Sequence, residues 1–241
     1  MDTHAGEGRY ALGPTGEWTE GIGRVWHAPP ATDDAVARYV TLCRRLGAGT
    51  DRPTRYPGSP LLARAVLGPD AVLSLWERDA GTCAALRRTL GEDRHVELAC
   101  GDGLLALPDA LAAAERDADA VAVLVDPPYT QKADWIAVPD ALARAAAATT
   151  RACLMLWYPV KSLTRPNAMI ARLAAAGVAG TIAELVTTPL DQQRRRLNGS
   201  GVLLVRPPAG ALETLAATAP ILGAACATQE GRWSFRMQAW R

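Results

Sequence analysis

The chain carries only three histidines, and its five cysteines (Cys43, Cys83, Cys100, Cys153 and Cys226) are scattered with no Cys-x-x-Cys pair. That spacing indicates neither a zinc site nor a disulfide framework. No apolar run approaches the length of a membrane-spanning helix, and no basic segment followed by an apolar one opens the chain. A soluble, cytoplasmic protein is the expectation. Charge of one sign is also missing: the net charge is +1, so no global field attracts a polyanion, although a local basic patch suffices for that. Lysine is nearly absent, since 24 of the 26 basic residues are arginine. In an alanine- and arginine-rich chain this bias can reflect codon composition, and it carries little weight.

What is present is enough apolar material for a sizeable core: 241 residues, 49% of them hydrophobic. The simplest arrangement is one α/β domain over 1–241 with an insertion at about 10–60. Strand-like and helix-like segments alternate, which predicts a doubly wound, mostly parallel sheet. Ala71 to Trp76 reads as a strand ending on Glu77. Asp79 then caps a helix with Cys83, Leu86 and Leu90 on one face and Gly91 as its stop. His95 to Ala99 is a shorter strand ending at Asp102-Gly103. Pro108 suits the first turn of a helix through Ala114, and Pro139 likewise begins one. Between them, Ala120 to Val125 is a strand, and Ala152 to Trp157 makes another. Pro166 opens a helix closed by Gly177. Thr181 to Val186 and Val202 to Val205 look like a terminal antiparallel pair. The region 10–60 breaks the alternation and holds one helix, about Asp33 to Leu46, and the turn-rich Arg55 to Pro60.

The most informative tetrapeptide is Asp126-Pro127-Pro128-Tyr129. Helix cannot continue into Pro-Pro, so the apolar run before it is a buried strand with Asp126 at its carboxyl end, where open α/β sheets keep ligands. Asp-Pro-Pro-aromatic resembles the signature of S-adenosylmethionine-dependent methyltransferases acting on adenine N6. The chemistry suits an exocyclic amine, whose lone pair is delocalised into the ring. Asp126 and the Pro127 carbonyl can accept its two hydrogens and favour the pyramidal form. The carboxylate then stabilises positive charge growing on nitrogen. Tyr129 offers an aromatic face to an unstacked base. A plain turn with a half-buried tyrosine remains the alternative.

Asp2-Thr3-His4-Ala5-Gly6-Glu7-Gly8 reads as a strand-to-helix glycine loop. Such a loop follows a central apolar strand, yet only Met1 precedes it. The expectation is therefore that the first central strand is missing from this chain and that the true start lies upstream.

Several pieces together resemble the bacterial large-subunit ribosomal RNA adenine-N6 methyltransferases of the RlmJ type. They are Asp2 to Gly6 with Gly8-Arg9-Tyr10, Tyr56-Pro57-Gly58-Ser59-Pro60, Glu77, Asp102-Gly103, Asp126 to Tyr129, Leu156-Trp157-Tyr158-Pro159 and Ser200-Gly201. The resemblance implies a Rossmann-like class I methyltransferase sheet with a small helical insertion, and 23S ribosomal RNA, protein-free or an early precursor, as substrate. By position it implies that His4, Ser59, Glu77, Asp102, Gly103 and Asp126 contact S-adenosylmethionine and that Asp126 is the proton acceptor. Pro127 and Tyr129 fall at the substrate. Glu77 also suits the ribose hydroxyls on chemical grounds, since an acid after the second strand commonly holds them. The plainer readings are a solvated Glu77, a helix-capping Asp102, a Ser59 capping the helix Pro60 to Leu67, and a structural His4. Trp157-Tyr158-Pro159 could wall the base pocket or pack in the core. Arg194-Arg195-Arg196 could meet RNA phosphates or be a solvated loop. A cofactor- or RNA-binding remnant without turnover and a DNA adenine methyltransferase are the competing functions.

Overall fold

Along Cys153–Val160 every second residue, Leu154, Leu156, Tyr158 and Val160, is wholly buried, while Cys153, Met155, Trp157 and Pro159 are half-buried. A strand covered on both faces, one more tightly than the other, produces this pattern. The computed structural model describes residues 1–27, 34–47, 51–192 and 197–241. In chain order the elements are β1 (Arg9–Ala11), a 3-10 turn (Glu17–Thr19), α1 (Ile22–Val25), α2 (Ala35–Leu46), β2 (Arg55–Pro57), α3 (Ser59–Leu67), β3 (Leu73–Glu77) and α4 (Ala80–Leu90). Then come β4 (Val96–Cys100), α5 (Gly103–Asp117), β5 (Ala122–Val125), α6 (Asp134–Ala148), β6 (Cys153–Val160), α7 (Thr164–Ala175), β7 (Gly180–Val186), β8 (Gly199–Val205), α8 (Ala211–Cys226) and β9 (Ser234–Trp240).

Met1 to Thr3 take the place of the strand expected to be missing. Asp2 bridges in parallel to Leu75 of β3 on one side and to Leu124 of β5 on the other. The Asp2 N–H donates to the Ser74 carbonyl at 3.0 Å, the Trp76 N–H to Asp2 at 2.9 Å, the Leu124 N–H to Met1 at 2.9 Å and the Thr3 N–H to Leu124 at 3.1 Å. The gap expected at the centre of the sheet is thus filled at the carboxyl ends of these strands, where a short segment satisfies both neighbours. The sheet order is β4, β3, Met1 to Thr3, β5, β6, β8, β7, β9. Strands β3 to β5 are parallel to their neighbours, while β8 pairs antiparallel with both β6 and β7, and β9 antiparallel with β7. The pair β7 and β8 is therefore antiparallel as expected but not terminal. The strand β9 and the helix α8 were not anticipated.

Helices α5, α6 and α7 pack side by side, burying Leu107, Leu111, Val138, Leu142, Met169 and Leu173 against β5 to β8. On the opposite face Leu73 and Leu75 of β3 bury against Leu86 of α4. Asp79 caps α4 through the Thr82 N–H at 2.8 Å, and Gly91 stops it at φ 66°. Two proline expectations shift. Pro108 and Pro139 lie inside α5 and α6, because Asp102 caps the first from six residues upstream and the Asp134 carboxylate closes the turn before the second by accepting the Gln131 N–H. Pro166 does fall in the first turn of α7. Asp34 caps α2 through the Ala37 N–H, and Asp33 lies outside the described residues, as does Arg194-Arg195-Arg196. The cysteine expectation is corrected at one point: Cys83 of α4 and Cys100 at the end of β4 form a disulfide with Cα atoms 5.9 Å apart.

The insertion leaves and returns through the antiparallel ribbon β1–β2, in which Tyr10 stands opposite Tyr56. Its own small core, Ile22, Val25, Trp26, Val36, Val40 and Cys43, rests on Leu222 and Cys226 of α8. Among the described residues no helix is long and apolar enough to cross a membrane.

Candidate active site

The carboxyl ends of Met1 to Thr3, β3, β4 and β5 lie side by side, and each delivers one acid. Asp2 is 5% exposed; its Oδ1 accepts the His4 backbone N–H at 3.0 Å and its Oδ2 the Ser59 hydroxyl at 2.6 Å. Burial raises its pKa above the ordinary carboxylate value despite these bonds. Ser59 is therefore not a helix cap, because Gly58 occupies that position, and it reaches the glycine loop only through Asp2. The His4 Nδ1 shares a 2.8 Å hydrogen bond with the Thr3 hydroxyl. Burial pushes the His4 pKa down, although the charges of Asp2, Asp102 and Glu77 act to raise it. The ring is thus neutral at neutral pH.

Glu77 closes β3 and ties two loops. Its Oε2 accepts the Gly6 N–H at 3.1 Å and its Oε1 the Asp79 N–H at 2.8 Å. Each oxygen keeps a second lone pair. Asp102 caps α5 with Oδ1 alone, accepting the Leu104 N–H at 2.9 Å and the Leu105 N–H at 3.2 Å. The capping reading of Asp102 is therefore correct as far as it goes, and it leaves Oδ2 free of the cap. Gly103 has no alternative residue: a Cβ there would stand 2.6 Å from the Thr3 carbonyl oxygen and 2.8 Å from the Trp76 Cβ. The helix start is thereby pressed against the glycine loop.

At the end of β5, Asp126 is open to solvent on one side, Pro127 is buried and Tyr129 is half-buried. The Asp126 pKa is pushed up to about 6, chiefly by burial of its other side and then by the Asp2 charge. Tyr129 holds φ 48°, a left-handed backbone unusual for an aromatic residue and typical of sites where surroundings over-determine the chain. Its hydroxyl is buried with no hydrogen-bond partner. Its ring lies 4.6 Å from that of Trp135 on α6 and 6.4 Å from that of Trp157 on β6. Of the two aromatic residues read as pocket wall or core, Trp157 stands beside Tyr129, while Tyr158 points the other way into the core, where its hydroxyl donates to buried Glu184 at 2.8 Å.

The structure gathers His4, Glu77, Asp102 and Gly103 around one end of the sheet, with Ser59 behind them and Asp126, Pro127 and Tyr129 alongside. Two residues escaped sequence reasoning. Asp2 was visible in the loop motif but only the fold shows that it is the buried hub joining Ser59 and His4. Trp135 gave no signal, because a tryptophan six positions beyond Tyr129 meets it only once α6 folds back. The set fits an adenosyl cofactor: Glu77 and Asp102 are acceptors for donor groups, Gly103 lets the start of α5 close against the glycine loop, and Asp126 offers a carboxylate to a cationic centre.

Such a crevice at the carboxyl edge of an open α/β sheet, with an acid after each of two successive strands and Asp-Pro-Pro-Tyr after the next, defines a Rossmann-like methyltransferase. The chain belongs to the family described as ribosomal RNA large subunit methyltransferase D, RlmJ, whose model matches residues 1–240. It is 32% identical over 214 residues to ribosomal RNA large subunit methyltransferase J of Haemophilus influenzae, covering 86% of this chain and 74% of that protein. It is 34% identical over 216 residues to the protein of the same name from Escherichia coli K12, with the same coverage, 86% and 74%. A crystallised Legionella pneumophila protein shares the fold at a TM-score of 0.85, 21% identity, and coverage of 99% of this chain and 86% of that one.

Proposed function

We propose that this chain transfers the methyl group of S-adenosylmethionine to N6 of an adenosine in 23S ribosomal RNA, on protein-free RNA or an early precursor. The observation that carries the reading is Asp126: a strand-end carboxylate with no partner among the described residues, its pKa raised to about 6, beside a strained Tyr129 whose buried hydroxyl is also unpaired among them. Unspent hydrogen-bonding capacity at that spot suits a ligand amine. The names of the curated relatives, ribosomal RNA large subunit methyltransferase J, support the RNA as acceptor.

In this reading Glu77 accepts ribose hydroxyls with the lone pairs that Gly6 and Asp79 leave over. Asp102 and the Gly103 N–H meet the cofactor's adenine edge. Neutral His4 and the Asp2–Ser59 pair hold the glycine loop in place beneath. When bound, the cofactor supplies the electrophilic methyl group. Asp126 and the Pro127 carbonyl accept the two N6 hydrogens, so the lone pair leaves conjugation with the ring. Tyr129 and Trp135 give the unstacked base a face. Asp126, ionised above pH 6, stabilises the charge growing on nitrogen and takes or relays the proton.

The test is methyl transfer from labelled cofactor to protein-free 23S ribosomal RNA, with nucleoside analysis and with duplex DNA as competitor. N6-methyladenosine made by the protein and lost in Asp126→Ala supports the reading. Preferential methylation of duplex DNA, or cofactor binding with no transfer to any adenosine, would overturn it.

A further inference from the structure

Next to the Asp126 crevice lies a second space that this mechanism leaves unused. It has a volume of about 850 Å3 and sits between the inserted helices, the ends of β7 and β8, and α8. Its walls are unusually aromatic for a chain with 5% aromatic residues: Tyr10, Trp18, Tyr39, Tyr56 and Trp157 all face it. The fold explains the concentration. The β1–β2 ribbon sets Tyr10 opposite Tyr56, the Tyr56 hydroxyl is hydrogen-bonded to that of Tyr39 on α2, and Trp157 lies in the second half of β6.

Three observations say what such a space would take. Trp157 belongs to both sites, since it lines this cavity and stands 6.4 Å from the Tyr129 ring. Asp126 is near enough to Tyr56 for its charge to disfavour ionisation of that phenol. Trp157 is therefore shared between the cavity wall and the surroundings of Tyr129, where the target base would lie. Second, the Trp18 Nε1 is buried without a hydrogen-bond partner, so the wall holds a donor that awaits an acceptor. Third, Glu17 and Glu20 line the same wall, and anions there repel phosphate while an acceptor suits an exocyclic amine. Flat aromatic faces, one free N–H and a nearby acceptor match the face and edge of a nucleobase, with its phosphate left outside.

We infer that this cavity is a second nucleobase site, which receives an unstacked, amine-bearing nucleotide flanking the target adenosine and thereby selects the RNA. The inference rests on the RNA methyltransferase reading above. Two adjacent unstacked bases, one at Asp126 and one in the cavity, would hold the single strand in a splayed form on either side of Trp157. Thr218 of α8, at the cavity wall and outside the catalytic end of the sheet, offers a way to fill it.

The test uses an RNA fragment that contains the adenosine methylated in 23S ribosomal RNA, with an abasic residue placed at each flanking position in turn. For the unmodified protein one abasic position raises KM about tenfold, the size expected of one lost base–aromatic stack, and leaves kcat unchanged. Thr218→Trp raises KM similarly on intact RNA and shows no further loss on the abasic one. Trp18→Phe, which keeps a ring but removes the donor, gives a smaller rise, and cofactor affinity is unaffected in both variants. Equal KM for intact RNA and every abasic RNA would overturn the second site even if Thr218→Trp failed to fold. Normal transfer with no abasic effect overturns this inference alone, whereas no transfer to intact RNA overturns the underlying reading and this inference with it.

Discussion

Two carboxylates, one in each half of the sheet, have been given opposite surroundings. Glu184, in the antiparallel half, is 1% exposed and paired on both oxygens: it accepts from the Tyr158 hydroxyl at 2.8 Å and meets Arg236 at 2.7 Å and 2.8 Å. Asp126, in the parallel half, has no partner among the described residues, and its pKa rises to about 6. The first acid has both oxygens engaged inside the protein and serves the fold. The second has kept its bonding capacity for something outside. Even the glycines divide this way. Gly201 sits opposite Tyr158 in the ladder, where a Cβ would overlap the tyrosine ring, whereas Gly103 lets the start of α5 approach the Thr3 backbone beside the crevice.

The contrast is broken most sharply by exchanging the outcomes of removal. Asp126→Asn should lower the methyl-transfer rate by about a thousandfold, the cost expected for losing a charge-stabilising, proton-accepting group, without loss of melting temperature. Glu184→Ala should do the reverse, costing about 3 kcal/mol in a denaturant titration because it leaves Arg236 and Tyr158 without their acceptor, while cofactor affinity of the folded fraction is retained. Equal stability losses in both variants would erase the distinction.

Gly103→Ala tests the crevice itself. The added Cβ must displace the Thr3 backbone, so cofactor affinity should fall at a stability cost of about 1–3 kcal/mol, read by calorimetry and thermal melting. A variant that binds the cofactor normally would show that α5 does not need its close approach to the loop.

The mildest effect is in pH. The rate should rise as pH increases through about 6, when Asp126 loses its proton, and Asp2→Asn should move that midpoint down by removing a neighbouring negative charge. Stability runs the other way. A carboxylate whose folded pKa lies above its unfolded one binds more protons when folded, so its stabilising contribution is full below about pH 4 and is lost as pH rises through about 6. Asp126→Asn should thus gain stability over the unmodified protein at pH 7 and not at pH 3.5. A pH-independent difference in thermal melts would mean that Asp126 is not perturbed by the fold.

Much of this was legible in the chain because its signals are local. The unbroken apolar runs of Ala122–Val125 and Cys153–Val160, the Asp79 cap and the Gly91 stop each depend on residues within one or two turns. The misread starts at Pro108 and Pro139 show the limit of local rules, since proline is tolerated inside a helix whose start is held by another group. Strand β9 carries a local signal as well, since Ser234 to Ala239 alternates polar and apolar residues, but its place at the sheet edge follows only from its pairing with β7. Tyr158 and Trp157 are neighbours in sequence, yet the period of a strand sends one to Glu184 and the other to Tyr129.

By itself the sequence determined the family, the order of strands and helices, and the acids at the strand ends, because strand periodicity and Pro-Pro after Asp126 allow few other local solutions. Only the tertiary structure decided that Met1 to Thr3 fill the centre of the sheet, that Asp2 binds Ser59 and His4 into one loop, and that aromatic rings from the insertion meet Trp157 around a cavity. Those depend on residues far apart in the chain, and on how much hydrogen-bonding capacity each buried group has left once its neighbours have arrived.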